Sequence, residues 1–255
     1  MTLRQERRKG FTLVELAIVL VIIGLLIGGI LAAQSMLKTA RLQAVIRTMR
    51  QFDIAVSAFQ TQFRSLPGDS PAFGGNGDGE ITGTSGTIAS FTYEIANFWQ
   101  NLQQGGFTYS GKTFTPTVPA GGFDITSQTP NSPELKTDVK AGVVAFRCNL
   151  GSINCYQFAD WSGVNVGVWP NLFGANPKPI LTTANAFAID SKIDDGKPST
   201  GDVRNFIANL PPAYNGYFYC DDVGPSDPAN AKYVLAYGGS NCVLTVGILS
   251  QVGQR

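Results

Sequence analysis

From Leu16 to Leu37 the chain carries no charged side chain over 22 residues. Beyond that run, apolar residues recur mostly three and four apart, at Leu42, Val45, Ile46, Met49, Phe52, Ile54, Val56 and Phe59, with Lys38, Arg41, Arg47 and Arg50 between them. No proline interrupts residues 11 to 64. This pattern predicts one continuous helix over residues 11–65. At about 1.5 Å per residue the uncharged run reaches roughly 33 Å, which matches a hydrocarbon core of about 30 Å. Residues 11–37 are therefore expected to span a membrane. The amphipathic remainder is expected to pack on a soluble domain, and the helix to stop at Arg64-Ser65-Leu66-Pro67-Gly68-Asp69.

The rest of the chain changes period. Phe91, Ile95, Phe98, Trp99 and Leu102 fall at helical spacing and predict a second helix over residues 90–104, ended by Gly105-Gly106. Residues 105–140 hold 19 Ser, Thr, Gly or Pro in 36 positions and read as irregular surface structure with room for short strands. Then β-type runs follow at Val143–Phe146, Cys155–Phe158, Tyr217–Cys220, Tyr233–Tyr237 and Val243–Leu249, separated by Gly, Asn, Asp and Pro. Between them, Thr182-Thr183 can cap a third helix running from Ala184 to Ile193. The expected fold class is α+β. A long N-terminal transmembrane and amphipathic helix packs on an antiparallel β-sheet domain at residues 66–255.

Charge adds a direction. Nineteen Lys+Arg against eighteen Asp+Glu leave +1, and no histidine is present. Histidine-dependent triads, histidine zinc sites and imidazole switches are thereby excluded. The first ten residues hold Arg4, Arg7, Arg8 and Lys9 against Glu6. The positive-inside rule keeps that end in the cytoplasm and sends the domain across the membrane. Without those ten residues the chain has 15 basic and 17 acidic side chains, so bulk attraction to nucleic acid is not encoded. A cleavable secretory signal would have a shorter apolar core and a small-residue cleavage site opening into a turn.

Glu15 interrupts the apolar run. A carboxylate near a helix centre in lipid costs on the order of 2.5–3.5 kcal/mol, so it either reaches the headgroups as a boundary residue or has a partner. The surrounding string is Lys9-Gly10-Phe11-Thr12-Leu13-Val14-Glu15. It resembles the class III signal of the type IV pilin and type II secretion pseudopilin family: a short basic leader ending in glycine, then phenylalanine, then glutamate four residues on, then a long apolar helix. The resemblance covers residues 1 to about 66. It implies a leader, residues 1–10, cut between Gly10 and Phe11 by an inner-membrane prepilin peptidase, and methylation of the new Phe11 amine. It also implies polymerisation into a helical filament in which Glu15 neutralises a neighbour's N-terminal amine and sets the register. Expected partners are other pilin-like subunits, an assembly ATPase, an inner-membrane platform protein and an outer-membrane secretin.

On that resemblance the chain is a filament subunit of a type IV pilus or a secretion pseudopilus. It is anchored once in the inner membrane with its C-terminal domain in the periplasm, and reaches the cell surface in the pilus case. The alternative is a minor pilin acting as an adhesion or DNA-uptake module displayed on the filament. No catalytic motif is found, and an enzyme is not expected. Gly24 and Gly28 form a GxxxG pair that either packs helices closely or reflects the general frequency of glycine in membrane helices. Many members carry a helix-breaking proline in the apolar segment, which this chain lacks.

Four cysteines, Cys148, Cys155, Cys220 and Cys242, fall in the translocated part without CxxC spacing, which favours disulfides over metal thiolates. Sequence proximity pairs Cys148 with Cys155 and Cys220 with Cys242. Calcium is the candidate cofactor, at two places. Asn76, Asp78, Gly79 and Ile81 occupy the third, fifth, sixth and eighth places of an EF-hand pattern, but Gly74 and Ser85 stand at the first and twelfth. That segment, with Glu80, reads either as a glycine-rich turn or as a calcium site completed by Asp69 or a distant residue. Asp190, Asp194 and Asp195, with Asp202 nearby, read either as a turn salt-bridged to Lys192, Lys197 and Arg204 or as a calcium site.

Overall fold

The computed structural model describes residues 12–84, 91–107, 111–117, 128, 130–136, 140–148, 153–161, 178–204, 220, 230–235 and 242–248. Helix α1 runs from Leu13 to Phe63. It is long and apolar enough to cross a membrane, with a mean hydropathy of 3.0 in its most apolar window and none of that window buried. The chain divides into two compact units, Met1–Arg41 and Leu42–Arg255. In the first, Leu16, Leu20, Ile27 and Leu31 stay more than half exposed. In the second, burial begins at once along one stripe of α1, with Val45, Ile46, Met49, Phe52, Val56 and Phe59 all buried. Ile54, expected on that stripe, is 68% exposed, because it lies two residues from both Phe52 and Val56 and so turns away from their face.

Helix α2 covers Tyr93–Gln104 and α3 covers Thr183–Ile193. The apolar stripe of α2, Ile95, Phe98, Trp99 and Leu102, is buried. Thr182 caps α3 by accepting the Asn185 N–H at 3.2 Å. Among the described residues, five strands form one antiparallel sheet: β1 (Glu134–Lys136), β2 (Lys140–Cys148), β3 (Ile153–Ala159), β4 (Val203–Arg204) and β5 (Leu244–Gly247). Their order is β1-β2-β3-β5-β4. The register pairs Val143 with Phe158 and Leu244 through successive strands, and Ala145 with Tyr156, Val246 and Val203. Because side chains alternate along a strand, these residues share one face.

That face meets α1 and α2. The Phe52 ring lies 5.0 Å from Trp99, 5.7 Å from Tyr156 and 6.4 Å from Phe158. Trp99 Nε1 donates to the Val143 carbonyl at 2.8 Å, which fixes α2 to β2 while keeping the indole N–H satisfied. The opposite face is also closed in, with Val144, Phe146, Gln157 and Thr245 buried.

Several strand limits differ from those read off the sequence. The short strands β1 and β4 carry too few residues for an alternation to register. Cys220 sits in a bend, and Tyr233 makes a single bridge before the chain turns at Leu235, so neither begins a regular strand within the described residues. Residues 217–219 and 236–237 lie outside them. Cys148 is joined to Cys155 across the β2–β3 hairpin, with Cα atoms 5.7 Å apart, and Cys220 to Cys242 at 5.5 Å. Cys242 also bridges to Leu181 just before α3, so the second disulfide ties Cys220 to the α3 entrance.

Phe52→Ala removes a ring shared by both helices and the sheet. It is expected to lower stability by about 3–5 kcal/mol, measured by denaturant titration of the full-length chain with its tryptophan fluorescence as the probe. A loss under about 1 kcal/mol would contradict the central place given to this ring.

Candidate functional site

The N-terminal signal begins the first candidate site. Gly10 and Phe11 lie outside the described residues. Thr12 is the residue preceding α1, and Glu15 lies in the first turn. Glu15 N–H donates to Thr12 Oγ1 at 3.2 Å, while Thr12 N–H and Thr12 Oγ1–H both donate to Glu15 Oε2 at 2.8 Å. This is a reciprocal capping box, which satisfies two otherwise orphaned groups at the helix start. Both donors converge on one oxygen, so Oε1 has no partner among the described residues. Gly24 and Gly28 meet nothing within 4 Å at the position of a Cβ, so this face is open in the single chain.

The second site is the connection from α1 to α2. Gly68 adopts φ +87°, and a Cβ there would run into the Glu94 carbonyl. A Cβ on Gly75 would overlap the Asp69 carbonyl in the same way. Glycine at these two points lets the loop fold tightly onto the first turn of α2. There the buried Glu94 accepts Asn76 N–H through Oε1 at 3.0 Å, and Thr82 N–H and Oγ1–H through Oε2 at 2.9 and 3.0 Å. Asp69, also buried, accepts Gly79 N–H through Oδ2 at 3.1 Å. Burial pushes both carboxyls above the usual carboxylate range. The amides pull back against it, and Asp78 beside Asp69, and Asp69 beside Glu94, add to the rise.

The residues predicted for this loop therefore separate. Asp78 joins Asp69 and Glu94, one oxygen of each lying within 4.8 Å of the others. Asn76 turns inward on the loop, its Oδ1 accepting Asp78 N–H at 2.9 Å and its Nδ2 donating to Asp78 Oδ2 at 2.8 Å. Glu80 leaves the group and pairs with Arg147 at 2.8 Å, because Arg147 N–H donates to the Ile81 carbonyl and brings β2 alongside. Asn154, absent from the sequence reading, locks the same segment. Its Oδ1 accepts Ile81 N–H and its Nδ2 donates to the Gly79 carbonyl, each at 2.8 Å.

Asp190, Asp194 and Asp195 also come together. Asp190 Oδ1 accepts Gly196 N–H at 3.0 Å and Oδ2 accepts the Tyr233 hydroxyl at 2.6 Å. Asp194 accepts the N–H groups of Asp202 and Val203, and Asp195 those of Lys197 and the Thr200 hydroxyl. No ion pair links the three to Lys192, Lys197 or Arg204 among the described residues; Arg204 Nε instead donates to the Gly201 carbonyl. Backbone donors lie closer to these short side chains than the long cationic ones, and hold the turn without them.

A family model described as the prokaryotic N-terminal methylation motif matches residues 6–31. The chain thus carries the prepilin-type signal of type IV pilins and pseudopilins, at the head of an α+β architecture built on a long N-terminal helix. That motif marks structural rather than catalytic proteins, and with the apolar helix it points to membrane anchoring. No curated protein and no solved structure matches the chain.

Asp190 carries a pH dependence. Burial lifts its carboxyl to about 7, against the pull of the Tyr233 and Gly196 hydrogen bonds and with the charges of Asp195 and Asp194 adding to it. Between the ordinary carboxylate value of about 4 and this raised value, the folded chain keeps a proton that the unfolded chain has released. Stability therefore falls as pH rises through that window and levels off above it. Denaturant titrations at pH 5 and pH 8 are expected to show the chain less stable at pH 8, and Asp190→Asn to shrink that difference. An unchanged difference in the variant would assign the pH dependence elsewhere.

Proposed function

We propose that this chain is a structural subunit of a pilin-like helical filament, released from the inner membrane after a prepilin peptidase cuts between Gly10 and Phe11. On this reading residues 1–10 are the leader, 11–65 the polymerisation helix with 11–37 in the membrane, and 66–255 the exported domain. The observation that carries it is the Lys9–Glu15 string, followed by an uncharged helical surface exposed along its whole length. Such a surface is stable in lipid or against copies of itself, and Gly24 and Gly28 would allow neighbouring helices to approach closely. An assembly ATPase, a platform protein and a secretin complete the expected machinery. Within the class, a secretion pseudopilus and a surface pilus differ in where the filament ends. Antibody imaging of intact cells against the exported domain separates them, long surface fibres marking a pilus and a signal confined to the periplasm a pseudopilus.

Glu15 is the register residue in this reading. Its Oε2 serves the capping box, and its remaining oxygen is available to the methylated amine of a neighbouring Phe11. A carboxylate and an ammonium, each costly in lipid, then satisfy one another only when two chains align. Glutamine preserves a capping box but has no charge. Glu15→Gln is therefore expected to be cut and inserted normally and yet be excluded from sheared filaments, like Glu15→Ala. Incorporation of Glu15→Gln at the wild-type level would leave Glu15 as a helix cap alone.

A further inference from the structure

We propose that Asp69, Asp78 and Glu94 form a calcium site that clamps the α1–α2 connection, independently of which filament the chain enters. Their nearest oxygens lie within 4.8 Å of one another. Two oxygens on opposite sides of one Ca²⁺ stand about 5 Å apart, given coordination distances of roughly 2.3–2.6 Å. All three therefore reach a single ion with small adjustments. Asp69 and Glu94 are 1% and 0% exposed and form the floor, while the exposed Asp78 forms the entrance.

Proximity of acidic groups would not by itself make a site. The added observation is Asp69 Oδ1, which is buried and accepts no well-formed hydrogen bond among the described residues, although the Gly77 and Asp78 amides lie near enough to favour the charged carboxylate. Leaving a buried acceptor unmade costs about 1–3 kcal/mol, more for a charged one. Nor does a cationic side chain pair with the three carboxylates among the described residues, where the guanidinium of Arg147 is taken by Glu80. A water molecule would supply a donor to Oδ1 but would leave three mutually repelling carboxylates together. A divalent cation meets both needs. The Asp190, Asp194 and Asp195 group lacks this feature, since none of its buried oxygens is without a donor.

The donor set is all oxygen, which selects a hard cation, and the loop is irregular. Mg²⁺ demands near-octahedral geometry at about 2.0–2.1 Å, whereas Ca²⁺ accepts the uneven reach of two aspartates and one glutamate anchored on different elements. Bound there, the ion would join the end of the Leu66–Asp69 turn, the Gly74–Glu80 loop and the first turn of α2.

The test uses the full-length chain in detergent micelles, freed of metal with a chelator and titrated with calcium chloride alone. Calorimetry is expected to show one ion per chain in the millimolar range or tighter, as for extracellular calcium modules at about 10⁻⁴–10⁻³ M, and the melting temperature to rise with added calcium. Asp78→Asn, which changes an exposed group, is expected to keep the fold and weaken binding at least tenfold. Asp194→Asn is expected to bind like the parent. Absence of heat and of any melting shift up to about 10 mM calcium would overturn the proposal. So would undiminished binding by Asp78→Asn, loss of binding in Asp194→Asn alone, or an equal response to magnesium.

Discussion

The globular unit depends on the burial of Phe52. Its ring is fully enclosed and touches Trp99 of α2 and both Tyr156 and Phe158 of β3, so one side chain of α1 contacts both other layers. Edge-to-face and tilted geometries among these rings add to the burial of their area. Once Phe52 is placed, the helical period fixes Met49, Val56 and Phe59 on the same side, and Phe59 then meets Phe63, Phe73 and Phe107. Gly105, at the end of α2, lies so close to Phe59 and Phe63 that a Cβ there would press on both rings. The helix end, the 3₁₀ turn at Pro71–Phe73 and the exit of α2 are thus set by one row of phenylalanines.

The polar loop between α1 and α2 rests on that apolar frame. Backbone bonds from Phe73 and Gly75 N–H to Ser70, from Gly74 N–H to Pro71 and from Gly77 N–H to Asp69 hold its first half, and its other buried backbone groups must find partners elsewhere. Asn101 supplies one by accepting Gly68 N–H, Glu94 supplies two, and Asn154 supplies two. Side chains on α2 and β3 thus complete what the loop's own turns begin. That arrangement explains why two acidic groups are buried beside an aromatic core: they act first as acceptors for amides that a sheet or helix would otherwise have satisfied.

Much of this was legible in the sequence. Period three-to-four apolar spacing identified the α1 and α2 stripes, Thr182 announced α3, and runs such as Val143–Phe146 and Cys155–Phe158 marked the two longest strands. What escaped has physical causes. Glu94 stands in the first turn of a helix, where an acidic residue is favoured by the helix dipole, so its burial leaves no trace in the pattern. Asn154 precedes a disulfide cysteine in a strand and looks like an outward polar position, although it is buried against the loop. Strands β1 and β4 are three and two residues long, too short for any alternation. Glu80 was grouped with Asp78 by adjacency, whereas β2 brings Arg147 to it from 67 residues away. The three aspartates around the end of α3 do gather as their spacing suggested, but Asp194 and Asp195 take nearby backbone amides in place of the expected salt bridges.

In the proposed filament, one carboxylate at the start of α1 serves two purposes. A lone Glu15 in an apolar helix would leave an uncompensated charge and, without Thr12, unmatched backbone groups at the helix terminus. The capping box removes the second problem within the chain, since Thr12 N–H and Oγ1–H both take Oε2. It leaves the charge in place, because hydrogen bonds from neutral donors disperse a negative charge without cancelling it. In the proposed filament the neighbouring amine cancels it at the oxygen the cap does not use. The cap holds that oxygen in one orientation beforehand, so less side-chain freedom is lost when two subunits meet. On the proposed reading, capping and assembly draw on opposite sides of a single carboxylate, and the first prepares the second.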